Sequence, residues 1–228
     1  MKPHPLDNPV WSSLCSRHAD LAQMNGGAGR YPPDVAPFVA IDPTAPIVSD
    51  DLAALIAPGE SVLFVGPAPR LPPPWQSDAP VLIAQMICND PIAAGDGVGP
   101  EIVELSAAHV QDMLALTALV YPHYFRPRTI AMGRYIGIYD GDRLIAMAGE
   151  RMGMDRYQEI SAVCTHPEFL GRGHAQRLVA RINNDAIEQG RQPFLHVSHQ
   201  NSRAKALYER LGYAWRADLP LTSVTRIA

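Results

Sequence analysis

The stretch EISAVCTHPEFLGRGHAQRLVA, residues 159–180, decides the fold, because its pattern requires a strand, a tight loop and a helix in that order. Ile160, Ala162 and Cys164 alternate with Glu159, Ser161, Val163 and Thr165, which is the period of a strand. His166-Pro167 closes it, since proline has no N–H to give to a ladder. Beyond the loop, Ala175, Leu178, Val179, Ile182 and Ala186 recur at three- and four-residue spacing and form one apolar stripe that faces a sheet. Between strand and helix lie Phe169-Leu170-Gly171-Arg172-Gly173-His174-Ala175. The two glycines let the backbone turn tightly and bring successive N–H groups close to a bulky ligand. Free amides at a helix N-terminus, the positive end of the helix dipole and the Arg172 guanidinium together favour a phosphate or pyrophosphate.

Two common phosphate binders fail on these residues. A dinucleotide fingerprint needs a third glycine where Gln176 stands, and an acid suitably placed further on. A P-loop needs Gly-Lys-Ser/Thr, which is absent. Downstream, the chain supplies a strand from Pro193 to Val197 and then NSRAKALYERLGY, residues 201–213, a helix capped by Asn201 and stopped by Gly212. Asn201, Ala204, Tyr208, Gly212 and Tyr213 match N-x-x-A-x-x-x-Y-x-x-x-G-Y/F. Residues 168–173 match Q/R-x-x-G-x-G/A except at Glu168. These are two signatures of the GNAT acyl-CoA N-acyltransferases, and residues 101–228 resemble that family.

The resemblance implies an acetyl-CoA-dependent N-acetyltransferase that passes an acetyl group directly to an amine of a small molecule or peptide. A non-catalytic acyl-CoA sensor is the alternative. It implies a pyrophosphate site at Leu170, Gly171, Arg172, Gly173, His174 and Ala175, with Asn201 and Lys205 on the following helix completing the cofactor contacts. The motif strand and the next one splay apart in the family. The pantetheine arm then adds as a strand to main-chain groups at Val163 and Thr165, with Cys164 between them facing the other way. The Val163 amide would polarise the thioester carbonyl.

Acyl transfer needs a base for the amine and an acid for the leaving thiolate. Glu159 matches a glutamate that commonly acts as general base in the family; an exposed carboxylate at a strand end is the competing reading, and Glu150 on the preceding strand is the second candidate. Tyr208 lies two turns after Asn201 and matches the family's tyrosine, whose phenol would protonate the sulfur. Leu207 and Leu211 beside it make core packing the alternative. Tyr121-Pro122-His123-Tyr124-Phe125-Arg126-Pro127 is a stiff run of rings. The resemblance gives Tyr121, Tyr124 and Phe125 a substrate-facing role; rings packed beneath a loop are the other reading.

Composition bounds the rest. The chain has 228 residues, is 47% apolar and carries a net charge of −4, which suits a core-forming enzyme and disfavours nucleic acid or an anionic membrane as partner. No apolar run approaches about 20 residues, and MKPHPLDNPV at the start has no signal-like core. Cys15, Cys88 and Cys164 show no C-x-x-C spacing, so free thiols, no metal and a cytoplasmic location are expected, for a monomer or homodimer. His196 and His199 do not share a strand face and read as surface residues. Cys15 and His18 read as a buried thiol and a capping or surface histidine rather than a nucleophile pair.

Of the 22 prolines, 17 lie in residues 1–100. AAGDGVGP, residues 93–100, reads as a linker. The expected organisation is therefore an α/β (α+β) protein: a smaller, degenerate or substrate-shaping α/β domain over 1–98, and over 99–228 a mixed, mostly antiparallel sheet flanked by helices. Within the first part, Asn8-Pro9 starts a helix running to about residue 24, Leu52 to Ala57 form a short helix, and Ser61–Val65 and Val81–Met86 are strands. Within the second, Ile102–Leu105 is a strand, Ser106 caps a helix, and Asp140-Gly141 turns a hairpin.

Overall fold

The computed structural model describes residues 4–46, 49–93, 99–122 and 124–227, so most of the expected linker and His123 lie outside the described residues. A small antiparallel sheet comes first: β1 (Gln23–Asn25), β2 (Ala28–Arg30) and β3 (Val39–Ile41). The main sheet is built from β4 (Ser61–Val65), β5 (Trp75–Ser77), β6 (Val81–Ile87), β7 (Val103–Leu105), β8 (Tyr135–Asp140), β9 (Arg143–Gly153), β10 (Tyr157–Thr165), β11 (Gln192–Ser198) and β12 (Ala214–Arg226). Among the described residues its order is β4-β12-β6-β11-β10-β9-β8-β7, with β5 paired to β12. Among its described strands only β10 and β11 pair in parallel, besides an isolated parallel bridge from Phe38 to Leu63 of β4.

Five helices cover the sheet: α1 (Pro9–Leu14), α2 (Ser49–Leu55), α3 (Val110–Val120), α4 (His174–Glu188) and α5 (Ser202–Arg210) among the described residues. Leu178, Val179 and Ile182 of α4 and Tyr208 of α5 bury their faces against Ile136, Ile138, Ile145, Ile160 and Val197. On the opposite face α3 brings Met113 and Leu116 onto Tyr135, Met147 and Cys164, and α1 brings Val10 and Leu14 onto Ile83, Met152 and Phe194. No described helix is long and apolar enough to cross a membrane.

The division at residues 98 and 99 does not follow the sheet. β6, from the first part, lies between β11 and β12 from the second and pairs with both, while β4 closes the edge against β12. The two parts therefore share one sheet. β12 escaped the sequence reading because Pro220 interrupts it; pairing with β4 starts only at Leu221↔Val65, and the Pro220 carbonyl accepts from Gly66 N at 2.8 Å.

The first helix is also shorter than expected. It starts at the Asn8 cap, whose side chain accepts from Trp11 N, but ends at Leu14. Its serines bond elsewhere: Ser13 Oγ donates to Gly153 O at 2.9 Å, and Ser16 Oγ donates to Ser12 O at 2.6 Å. The Cys15–His18 reading is reversed, since Cys15 is exposed and His18 is buried against Ser13 and Tyr31. Burial pushes the His18 imidazole down to about 4.

Candidate active site

β10 and β11 pair only at Tyr157↔Gln192, Gln158↔Pro193 and Glu159↔Phe194. Past Glu159 they separate, β10 staying with β9 as far as Thr165 and β11 staying with β6 as far as Ser198. The gap opens into a cavity of about 670 Å³. Seven of the residues expected at the site line it: Tyr121, Tyr124, Phe125, Val163, Cys164, Asn201 and Tyr208.

A bulge shapes the β10 side. Between Ser161 and Cys164 the strand gains one residue on β9, and Ala162 adopts φ +51, a left-handed conformation that a side chain rarely accepts. The simple alternation expected from the sequence therefore fails after Ser161. Ile160 packs toward α4, whereas Ala162 and Cys164 pack toward α3 and Val163 returns to the α4 side. Cys164 is a core thiol, and burial pushes it up to about 12.

At the carboxyl end of β10 the glycine loop leads into α4. Gly171 and Gly173 have φ of +79 and +78, and beyond the adjacent chain nothing among the described residues lies within 4 Å of where a Cβ would stand on either. Gly173 is the N-cap and supplies no capping side chain, so the first amides of α4 are left for a ligand. Arg172 stacks on Phe169 at 4.6 Å beside the loop, and Glu168, the departure from the family pattern, pairs with Arg143. Thr165 Oγ1 and His174 Nδ1, on either side of the loop, are buried without a hydrogen-bond partner among the described residues. Two orphaned polar atoms, open glycines and an uncapped helix suit the phosphate end of CoA. Leu170, Ala175 and Lys205 belong to the loop, α4 and α5 and do not line the cavity.

Glu159 differs most from expectation. It is fully buried rather than exposed or presented to the cavity. Arg151 donates to it twice, from Nε at 2.8 Å and from Nη2 at 2.6 Å; Met152 N and His196 Nδ1 complete the set at 3.2 and 2.7 Å. Burial alone would raise the carboxyl, but the Arg151 charge and fork outweigh it and hold it well below the usual carboxylate range. Such a group is a poor proton acceptor, so the general-base reading does not fit this geometry. Glu150, the second candidate, accepts from Arg134 N, sits opposite Ile160 and does not line the cavity either.

His196 is correspondingly not a surface residue. It lines the cavity, donates from Nδ1 to Glu159, and its Nε2 accepts from Gln85 Nε2 at 3.0 Å. Gln85 donates also to Leu6 O and accepts from Arg216 Nη1 at 2.8 Å. Glu159 is the last residue of β10 paired to β11, so this chain of bonds ties β9, β10, β11 and β6 where the splay begins. Arg151 and His196 were missed by the motif reading. Their signal was a charged or imidazole side chain inside an otherwise apolar strand.

Tyr121, Tyr124 and Phe125 line the cavity. Tyr121 and Tyr124 stand 5.6 Å apart between centroids, Phe38 approaches Tyr124 at 6.2 Å, and burial, with Tyr121 adding to it, pushes the Tyr124 phenol up to about 12. Phe38, Val65 and Ile83 bring residues of the first part onto the same wall. On α5, Asn201 accepts from Ala204 N at 3.1 Å as a cap. Tyr208 packs on Tyr213 at 5.9 Å, and burial, with Cys164 adding to it, raises its phenol.

A family model described as FR47-like protein matches residues 135–219, the segment from β8 into β12. A crystal structure of a protein from Novosphingobium aromaticivorans, assigned to the GNAT acetyltransferases, is 34% identical; the match covers 99% of this chain and all of that one, with a TM-score of 0.88. A Kribbella flavida GCN5-related N-acetyltransferase is 16% identical over 95% of this chain and 92% of its own, with a TM-score of 0.58. A Drosophila protein is likewise 16% identical, over 88% and 74%, at 0.63. No curated protein matches by sequence. Identity at the first level over the full length places the chain among the acetyltransferase folds. It belongs to the GNAT family.

Proposed function

We propose that the chain is an acetyl-CoA-dependent N-acetyltransferase that moves an acetyl group to an amine of a small molecule or peptide by direct attack. The observation that carries this reading is the splay, in which the edges of β10 beyond Glu159 and of β11 beyond Phe194 face one cavity without pairing. An amide-bearing pantetheine arm is the ligand such edges accept, adding to Val163, Cys164 and Thr165 as a third strand. Residues 170–175 then hold the diphosphate, with Asn201 and Lys205 at the start of α5. When bound, acetyl-CoA supplies the activated acetyl thioester.

The protein's own groups do the rest. Val163 N–H polarises the acyl carbonyl. As the amine nitrogen forms its bond to the acyl carbon and the carbon–sulfur bond breaks, Tyr208 gives its proton to the sulfur, and the amine releases its own toward solvent. The upward shift keeps Tyr208 protonated before the reaction, so a proton is in place to give to the sulfur. Tyr121, Tyr124 and Phe125 shape the acceptor side together with Phe38, Val65 and Ile83. Glu159 acts at a distance, by fixing the strands at the apex of the splay.

Tyr208→Phe tests the acid. It keeps the ring and removes the hydroxyl, so the melting temperature should hold while thiol release from acetyl-CoA falls about 10- to 10³-fold. Full activity in a stably folded Tyr208→Phe protein would leave Tyr208 as a packing residue.

A further inference from the structure

One wall of the cavity presents hydrogen-bond donors with nothing among the described residues to receive them. Tyr135 is 1% exposed, and its phenol oxygen is buried without a partner. Its ring lies across Gly149, where any Cβ would collide with it, and meets Phe125 edge-on at 5.7 Å. Arg151 is close enough that its charge opposes the upward push of burial on this phenol. The Arg151 guanidinium commits Nε and Nη2 to Glu159 and stands over Phe38 at 4.9 Å. Its Nη1 makes no hydrogen bond among the described residues.

No carboxylate on the rest of the wall competes for these donors. No aspartate or glutamate lines the cavity, and Glu159 lies off it, fully buried. A buried hydroxyl left unmade is costly to a fold, and a neighbouring guanidinium edge with free N–H groups points to a ligand that accepts from both. A flat carboxylate has two oxygens for two donors. A phosphate would bring a third oxygen beyond these two donors.

We propose that the acceptor is a small amino carboxylate, whose carboxylate accepts from Tyr135 Oη and Arg151 Nη1 while its amine faces the splay. Its carbon skeleton lies against Phe38, Tyr124 and Phe125. This substrate class rests on the amine-acceptor reading above. Tyr135 and Arg151 are then specificity residues, not catalytic ones.

Tyr135→Phe is the informative variant, because it removes only the orphaned hydroxyl and leaves the ring in place over Gly149. The wild-type and Tyr135→Phe proteins are given acetyl-CoA with matched probes: phenylalanine against phenethylamine, γ-aminobutyrate against butylamine, and glycine against methylamine. Acetylated product is read by mass, and binding of each probe by calorimetry. The expected result is a preference in kcat/KM of about tenfold or more for the carboxylate member of at least one pair. In Tyr135→Phe that ratio collapses through KM at an unchanged melting temperature. Equal use of both members of every pair overturns the proposal while leaving acetyl transfer standing, and an undiminished preference in Tyr135→Phe overturns the assignment of that residue. If no probe is acetylated, binding alone decides. Carboxylate binding that Tyr135→Phe weakens about tenfold sustains the site, and absence of carboxylate binding overturns it.

Discussion

Glu159→Gln is expected to lose about 3–5 kcal/mol of folding stability, because it strands the Arg151 charge beside a neutral amide at the apex of the splay. For a chain of this size that is a fall of roughly 6–20 °C in melting temperature. The pH dependence has a definite sign. The carboxyl is held below its unfolded value, so the stabilisation is fully present above about pH 4.3, the ordinary glutamate pKa. It is lost progressively as pH falls below that value toward the depressed folded one. In Glu159→Gln this acid-side slope from residue 159 disappears. Melting curves at neutral and acid pH for both proteins measure it. A variant with wild-type melting temperature and turnover lost at neutral pH would restore Glu159 as the general base.

Gly173→Val is expected to weaken CoA binding by about 10²-fold or more with the fold retained. The left-handed φ of +78 costs a valine about 1–2 kcal/mol. Beyond the adjacent chain, nothing among the described residues stands within 4 Å of the new Cβ, so there is room for the side chain and the ligand is what it obstructs. Each amide bond lost to a charged oxygen is worth about 1.5–3 kcal/mol, and one or two of them give the predicted change. Calorimetry with CoA measures it; an unchanged Kd in a folded variant would remove the loop from the binding site.

What the sequence disclosed followed from how local each signal is. The glycine pair, the Asn201 cap, the Asp140-Gly141 turn and the apolar stripe of α4 each lie within one or two turns of chain, and each appears in the structure as read. The bulge at Ala162 left no local mark, since alanine is an ordinary strand residue there, and the face assignment beyond Ser161 went with it. The role of Glu159 depends on Arg151 across β9 and His196 across β11, so it was visible only once the strands were paired. The proline-rich first part looked like a separate domain because its loops are distinctive, whereas its strands β4 and β6 find their partners in β11 and β12, far along the chain. The orphaned hydroxyl of Tyr135 had no signal at all in a strand that reads as plain core.

The central claim is transfer through the splay from acetyl-CoA to an amine, and the direct measurement is free thiol release read beside acetylated product over a panel of amines. The account predicts thiol and acetylated amine in equal amounts, dependent on the amine, and both reduced in Tyr208→Phe and Gly173→Val. Tight CoA binding with no acetylated product from any amine, or thiol release that does not depend on the amine, would contradict it.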